Sequence, residues 1–244
     1  MTRGRLFVGT SGFAYKEWVG AFYPPGTKST GMLGYYAGQF ESVEVNYTFR
    51  RSPSPATLAG WKAQTPEGFV FALKANQGIT HFARLVDTGE RLERFLQSVD
   101  PLGERLGPVL FQCPPNLRYD PDVLDGFLSD LARLGPGRRY AMEFRHPSFD
   151  SEEVREKLAA AGVAWCAADT EESPARFVRT AGDFAYVRLR RGGYEEKVLE
   201  GWGEAVGEAL EQGTDVYAYL KHEDSATGPR DAAVLRAASA ISRP

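Results

Sequence analysis

The sequence predicts an α/β protein, a TIM-type (β/α)8-like barrel. Three observations predict it. Eight short runs rich in Val, Phe, Tyr, Leu and Ala are each bounded by turn formers. Helix-like segments alternate with them, which calls for parallel strands with helices outside. The length, 244 residues, is of the order at which such barrels close as a single domain. A doubly wound sheet fits less well, because Gly9-Thr10-Ser11-Gly12-Phe13 after the first run is not a GxGxxG fingerprint. No Walker, zincin or GxSxG motif occurs. With no linker, internal repeat or low-complexity segment in view, residues 1–244 are expected to form one domain.

The predicted strands are Leu6–Thr10, Ser42–Thr48, Phe69–Ala75, Val109–Cys113, Tyr140–Arg145, Val163–Ala168, Phe184–Arg190 and Val216–Lys221. The first helices expected between them are Met32–Phe40, Ala56–Gln64 and Thr88–Ser98, the last charged on one side. Asp122–Leu134 starts after Asp120-Pro121 and stops before Gly135-Pro136, a start and stop signal of good quality. Glu152–Ala161 follows Ser151 as N-cap and ends at Gly162. Val198–Leu210 and Ala232–Ile241 complete the set. The link after Ala168 contains Pro174 and has room for one short helix at most, so an irregularity is expected around the sixth βα unit.

Composition excludes some function classes. With 43% hydrophobic and 25% charged residues the chain is neither disordered nor fibrous. Its 29 Lys+Arg against 32 Asp+Glu argue against a sequence-blind DNA-coating protein, while leaving room for a local basic pocket. Cys113 and Cys166 sit in apolar runs without CxxC spacing, which predicts buried, reduced thiols. The first apolar stretch stops at Gly9, too short for a signal-peptide core, and no membrane-length apolar run occurs. A cytoplasmic protein without a membrane or protein partner is the expectation.

The informative residues are polar ones inside the predicted strands. Both faces of a parallel barrel strand are normally apolar, so a charge there asks for a partner. Glu44 and Asn46 share a strand face, as do Glu143 and Arg145, and Arg188 and Arg190. Lys74, Gln112, Asp169 and Lys221 lie late in or just after their strands, near the rim where barrel active sites form. One convergent site is predicted, with Lys74, Arg145, Arg188 and Lys221 set against Glu44, Glu143 and Asp169. Such a cation excess suits phosphate or carboxylate. His81, His146 and His222 follow strand ends and are candidates for acid/base work. Tyr15 and Tyr47 are the aromatics placed to stack on a ring, and Thr10 ends the first strand. A divalent metal on Glu44, Glu143 or Asp169 is an open alternative, although the ligand spacing is not tight and the cations oppose it.

Several motifs resemble the YecE-like family, a domain of unknown function. They are Gly9-Thr10-Ser11-Gly12-Phe13 with Tyr15 and Trp18, Val43-Glu44-Val45-Asn46-Tyr47-Thr48-Phe49, Ile79-Thr80-His81, Leu110-Phe111-Gln112-Cys113-Pro114-Pro115, and Glu143-Phe144-Arg145-His146-Pro147. The resemblance covers nearly the whole chain and implies a TIM-type barrel but no established activity. Relative to that family's usual last-strand ending, Lys221 and His222 stand at positions resembling two Asn, making the rim more basic.

The functional expectation is an enzyme, of a phosphodiesterase-like hydrolase kind, acting on a phosphate-bearing substrate such as a nucleotide or nucleic-acid end. Glu44 or Glu143 would be general base and His81 or His146 acid. Thr10, Tyr15, Asn46, Lys74, Gln112, Arg145, Arg188 and Lys221 would bind substrate. Two alternatives stand beside it: a metal-assisted sugar or sugar-phosphate isomerase or lyase, and a non-catalytic anion-binding adaptor barrel.

Overall fold

The structure is a computed structural model that describes residues 2–175, 177, 183–221 and 226–240. Eight parallel strands form the barrel wall: β1 (Leu6–Thr10), β2 (Ser42–Val45), β3 (Val70–Lys74), β4 (Leu106–Gln112), β5 (Tyr140–Glu143), β6 (Val163–Asp169), β7 (Phe184–Leu189) and β8 (Asp215–Leu220). They pair in the order β1-β8-β7-β6-β5-β4-β3-β2. The helices are α1 (Ser29–Ala37), α2 (Tyr47–Arg50), α3 (Pro55–Gln64), α4 (Gly89–Val99), α5 (Pro121–Leu134), α6 (Glu152–Ala160), α7 (Glu196–Glu211) and α8 (Thr227–Ser239). Among the described residues between β6 and β7 there is no helix. His222 and the expected helix end at Ile241 lie outside the described residues.

Local signals explain the helix starts. Asp120 caps α5 by accepting from the N–H of Asp122 and Val123 at 3.0 and 3.2 Å. Ser151 accepts from Val154 N–H at 3.3 Å. Gly162, with φ +66°, takes the left-handed turn that ends the α6 region.

Several strands are shorter than predicted: β5 ends at Glu143, which leaves Arg145 in the following loop, and β2 is cut most. β2 stops at Val45, and Asn46 adopts a helical conformation (φ −87°, ψ −14°) as the N-cap of α2. Tyr47 and Thr48 are good strand formers, but the Thr48 hydroxyl donates to Lys74 O at 2.7 Å and lies 3.1 Å from Val45 O. That hydroxyl meets strand-end carbonyls and turns the chain over the rim, so tertiary contact overrides propensity. Asn46 therefore does not share a strand face with Glu44.

Two apolar layers result. The larger lies between strands and helices, with Val43, Phe71, Phe111, Met142, Val187 and Leu220 among its members. The smaller fills the barrel: Phe7, Val70, Ala72, Leu110, Ala141, Ala164, Cys166, Phe184, Tyr186, Tyr217 and Tyr219. Aromatic rings from β1, β7 and β8 fill the lumen and meet the small side chains of β3, β5 and β6 there, as a closed interior requires. Phe7 stacks on Tyr217 at 4.5 Å and Tyr186 meets Tyr219 at 5.5 Å.

The seam between β1 and β2 is closed differently. A bridge joins Ser11 to Glu44, with Gly12 N–H donating to Glu44 O at 2.8 Å. Below it, the Tyr36 hydroxyl of α1 accepts from Thr10 N–H at 2.8 Å and donates to Ser42 O at 3.1 Å. A side chain thus stands in for a ladder bond. Gly9 permits the approach, since a Cβ there would lie 2.1 Å from Ser42 O and 2.6 Å from the Tyr36 hydroxyl. Tyr36→Phe removes the bridge inside a fully buried seam. We expect a loss of about 1–3 kcal/mol in urea unfolding, with a larger loss for Gly9→Ala; an unchanged midpoint for both would show that the seam contributes nothing.

Candidate active site at the C-terminal mouth

Strand register brings the inward polar residues to one level. Gln112 on β4 lies beside Glu143 on β5, and Lys74 on β3 beside Leu110 on β4. At the centre is Arg188, 1% exposed, between Glu44 (0%) and Glu143 (1%). Its Nη2 donates to Glu44 Oε1 at 2.7 Å and its Nη1 to Glu143 Oε2. Glu44 also accepts from Ser11 Oγ at 2.6 Å and from the Tyr186 hydroxyl at 2.8 Å. Glu143 Oε1 accepts from Arg145 Nε at 2.9 Å.

This packing sets the charge states. Burial alone would push the Glu143 carboxyl up, but Arg188 and Arg145 outweigh it and hold it down at about 2. Glu44 is likewise held below the usual carboxylate range, burial being outweighed by Arg188 and by hydrogen bonds from Arg188 and Ser11. Both carboxylates stay ionised and are engaged by donors at neutral pH. A general base needs a proton affinity near the working pH, so neither is suited to that role. They hold and neutralise Arg188 instead: both of its terminal nitrogens donate to them, while its Nε is buried without a partner.

Lys74 differs. Its Nζ donates to the neutral Gln112 Oε1 at 2.6 Å and stands 3.9 Å over the Phe49 ring. Burial and the charge of Arg188 lower it to about 8, against the opposing pull of Glu143 and Glu44. The other side of Phe49's contacts is His81, ring centroids 4.9 Å apart. Burial, then Lys74 and Arg145, lower His81 below its usual value. Its Nδ1 lies 2.8 Å from Thr80 Oγ1, where either group can donate.

A pocket of about 780 Å³ opens beside this cluster over the ends of β5–β8, lined by Glu143, Arg145, His146, Trp165, Arg190 and Lys221. Its outer wall adds Asp150, which pairs with Arg155, and Glu171 and Glu172. Arg190 is the residue the sequence reading passed over in favour of Arg188. Its Nη1 is buried without a hydrogen-bond partner, and it forms no ion pair with a described carboxylate. Burial and the neighbouring Arg188 work against its charge. The sequence signal was available, because Arg190 shares the Arg188 face one step nearer the rim.

Other predicted site residues are held by structural contacts, His146 at the pocket edge and Asp169, Thr10 and Tyr15 away from it. Asp169 points away from the lumen: it accepts from Ala175 N–H at 2.8 Å, Arg191 Nη2 at 2.7 Å and the Tyr194 hydroxyl at 3.0 Å. It pins the loops after β6 and β7 and does not join Glu44 and Glu143. Thr10 is fully buried, its hydroxyl donating to Gly12 O at 2.6 Å within the seam. Tyr15 donates to Ser11 O at 2.6 Å and packs on Trp18 at 4.7 Å. His146 caps the turn Pro147–Phe149, accepting from Ser148 N–H at 3.1 Å. Burial raises the thiols of both Cys113 and Cys166. Among the described residues no group of three or more His, Cys, Asp or Glu is arranged to hold a metal ion. No helix among them is long and apolar enough to cross a membrane.

The description "Protein of unknown function DUF72" matches residues 7–243. The chain belongs to the DUF72 family. It is 31% identical over 116 residues to the UPF0759 protein YunF of Bacillus subtilis, a stretch covering 45% of this chain and 40% of YunF. A DUF72 family protein from Thermotoga maritima shares 28% identity and superposes with a TM-score of 0.83 over 96% of this chain and 98% of that one. A DUF72 family protein from Enterococcus faecalis shares the fold at 17% identity, with a TM-score of 0.76 over 99% and 100%. Membership in DUF72 agrees with the resemblance seen in the motifs, and it brings the barrel but no activity.

The buried triad makes stability depend on pH. Glu143, depressed to about 2, remains charged in the native state while its unfolded counterpart protonates near 4.5. Its contribution is complete above that upper value and is lost as pH falls toward the lower one. Glu143→Gln is expected to unfold more easily at pH 7 and to show a flatter decline of the urea midpoint between about pH 4.5 and 2. An identical decline in both proteins would remove Glu143 from the acid response.

Proposed function

We propose that this DUF72 protein is an enzyme that binds a phosphate-bearing substrate at the C-terminal mouth and cleaves or transfers at the phosphate by acid/base chemistry. The observation that carries the reading is Arg190, a half-buried side chain lining the pocket whose Nη1 is buried with no partner. A buried donor left without a partner is costly, and an oxyanion that accepts from it relieves that cost. Arg145 and Lys221 line the same pocket and add positive charge. Its volume suits a ligand of nucleotide size.

The acid and base roles follow from charge state. His81, held below its usual value, is neutral at pH 7 and can take a proton from an attacking water. Lys74, at about 8, is mostly protonated there and can give a proton to a leaving oxygen. Both groups are lowered, yet the lysine stays above neutrality and the histidine below it, which suits them to opposite roles. This assigns base work to His81, where the sequence alone had put a glutamate. Gln112 fixes the Lys74 ammonium, and Glu44 and Glu143 keep Arg188 in place beneath both.

Inorganic phosphate and phosphorylated metabolites are expected to raise the melting temperature, with about 2.7 kcal/mol of stabilisation at a hundredfold excess over Kd. Arg190→Gln should abolish that shift; a shift that survives would remove Arg190 from the site. With a turned-over phosphate ester, the rate should rise with pH as His81 loses its proton and fall above about 8 as Lys74 does. Lys74→Met should lose the high-pH limb together with at least tenfold in kcat, on the scale of general-acid contributions. A rate flat through pH 8 would remove Lys74 as the acid.

A further inference from the structure

The loops after β2, β3 and β4 carry a feature that the pocket does not use. Segments 46–54, 75–88 and 113–119 contain Arg50, Arg51, Arg84 and Arg118 against the single acid Asp87, in a chain whose net charge is −3. None of the four arginines forms an ion pair with a described carboxylate. Arg84 is held by neutral acceptors only, Asn116 Oδ1 at 3.2 Å and Asn116 O at 2.7 Å. The same three loops hold three of the large apolar side chains left in water: Phe82 at 73% exposure, Val86 at 48% and Tyr47 at 46%. All three loops leave the C-terminal ends of parallel neighbouring strands, so they form one arc of the rim.

The backbone holds this arc in an uncommon shape. Phe82 ends a π-helical turn, Gly78–Phe82. Arg84, Leu85 and Asp87 then take positive φ of 54°, 68° and 48°. Left-handed conformations at non-glycine residues are unfavourable and recur at ligand clamps. Leu85, only 4% exposed, anchors the loop while Phe82 and Val86 are turned outward. His81, next to Phe82, contacts Phe49 under Lys74, which ties the arc to the proposed acid and base.

Exposed aromatic rings interleaved with unpaired arginines are what a single strand of nucleic acid recognises: bases stack on the rings and phosphates meet the guanidinium groups. We propose that this arc is a track for single-stranded nucleic acid, along which Phe82 and Tyr47 stack bases while Arg50, Arg84 and Arg118 meet phosphates, leading a strand end to the pocket. This rests on the phosphate reading above and narrows its substrate to a nucleic-acid strand.

The test uses the full chain, a fluorescein-labelled oligo-dT strand followed by anisotropy, and inorganic phosphate followed by thermal shift. The strand is expected to bind at low salt, with log affinity falling linearly in log salt. Phe82→Ala and Tyr47→Ala should each weaken it by about 5- to 100-fold, the range of one base stack. Both side chains are exposed, so the melting temperature and the phosphate shift should stay unchanged. Arg84→Ala should reduce the salt slope by about 0.7, one single-strand phosphate contact. Strand binding that ignores both aromatic substitutions, or equal binding of polyglutamate, would overturn the track as mere charge adsorption. No strand binding beside an intact phosphate shift would overturn the track and leave the pocket reading standing. Loss of both signals in the unmodified protein would overturn both.

Discussion

A guanidinium buried between two carboxylates organises the mouth of this barrel. Removing charges from water is expensive, and their mutual attraction offsets that expense only when geometry and hydrogen bonding are nearly complete. Arg188 meets the condition through Glu44 and Glu143, each of which takes further donors from Ser11, Tyr186 or Arg145. These residues come from β2, β5, β7 and the loops just after β1 and β5, so the triad ties together strands distant in sequence. Replacing Arg188 alone would leave the buried Glu44 carboxylate without a cationic partner.

The same triad explains why the surrounding groups differ from isolated side chains. Arg188 lies close enough to Lys74 to lower its proton affinity, and the crowding of Lys74 and Arg145 does the same for His81. The carboxylates pull Lys74 the other way, so the result depends on burial as much as on charge. A site thus forms in which the strong acids serve structure, and the groups whose proton affinity is lowered beside them are a lysine and a histidine. The cation left over at the pocket, Arg190, is the one whose strand position lies beyond the reach of the two glutamates' hydrogen bonds.

Asymmetry around the barrel also has a physical origin. On one side the wall is stacked with aromatic rings from β7 and β8, and on the other the lumen is lined by alanine and cysteine. On the β1–β2 side, Tyr36 substitutes for backbone pairing and Gly9 allows the approach. The aromatic cluster near the start of the chain mostly packs: Trp18 and Tyr23 are buried and in ring contact with each other and with Phe22. Tyr47 and Phe82, by contrast, are exposed on the loops after β2 and β3.

The sequence by itself determined the barrel, its strand order of occurrence and the residues that could not lie in an apolar wall without help. Periodicity and polarity are local properties, and Glu44, Lys74, Glu143 and Arg188 announce themselves by interrupting apolar runs. What only the tertiary structure decided is who partners whom. Asp169 and Glu143 look alike in sequence, yet strand phase turns one toward the outer loops and the other inward. Arg188 and Arg190 share a face, yet two residues along the chain separate a guanidinium whose terminal nitrogens both donate to carboxylates from one whose Nη1 has no partner. Asn46 left its strand because Thr48 binds the carbonyl end of another. These outcomes depend on contacts across dozens of residues, and no local pattern carries that information.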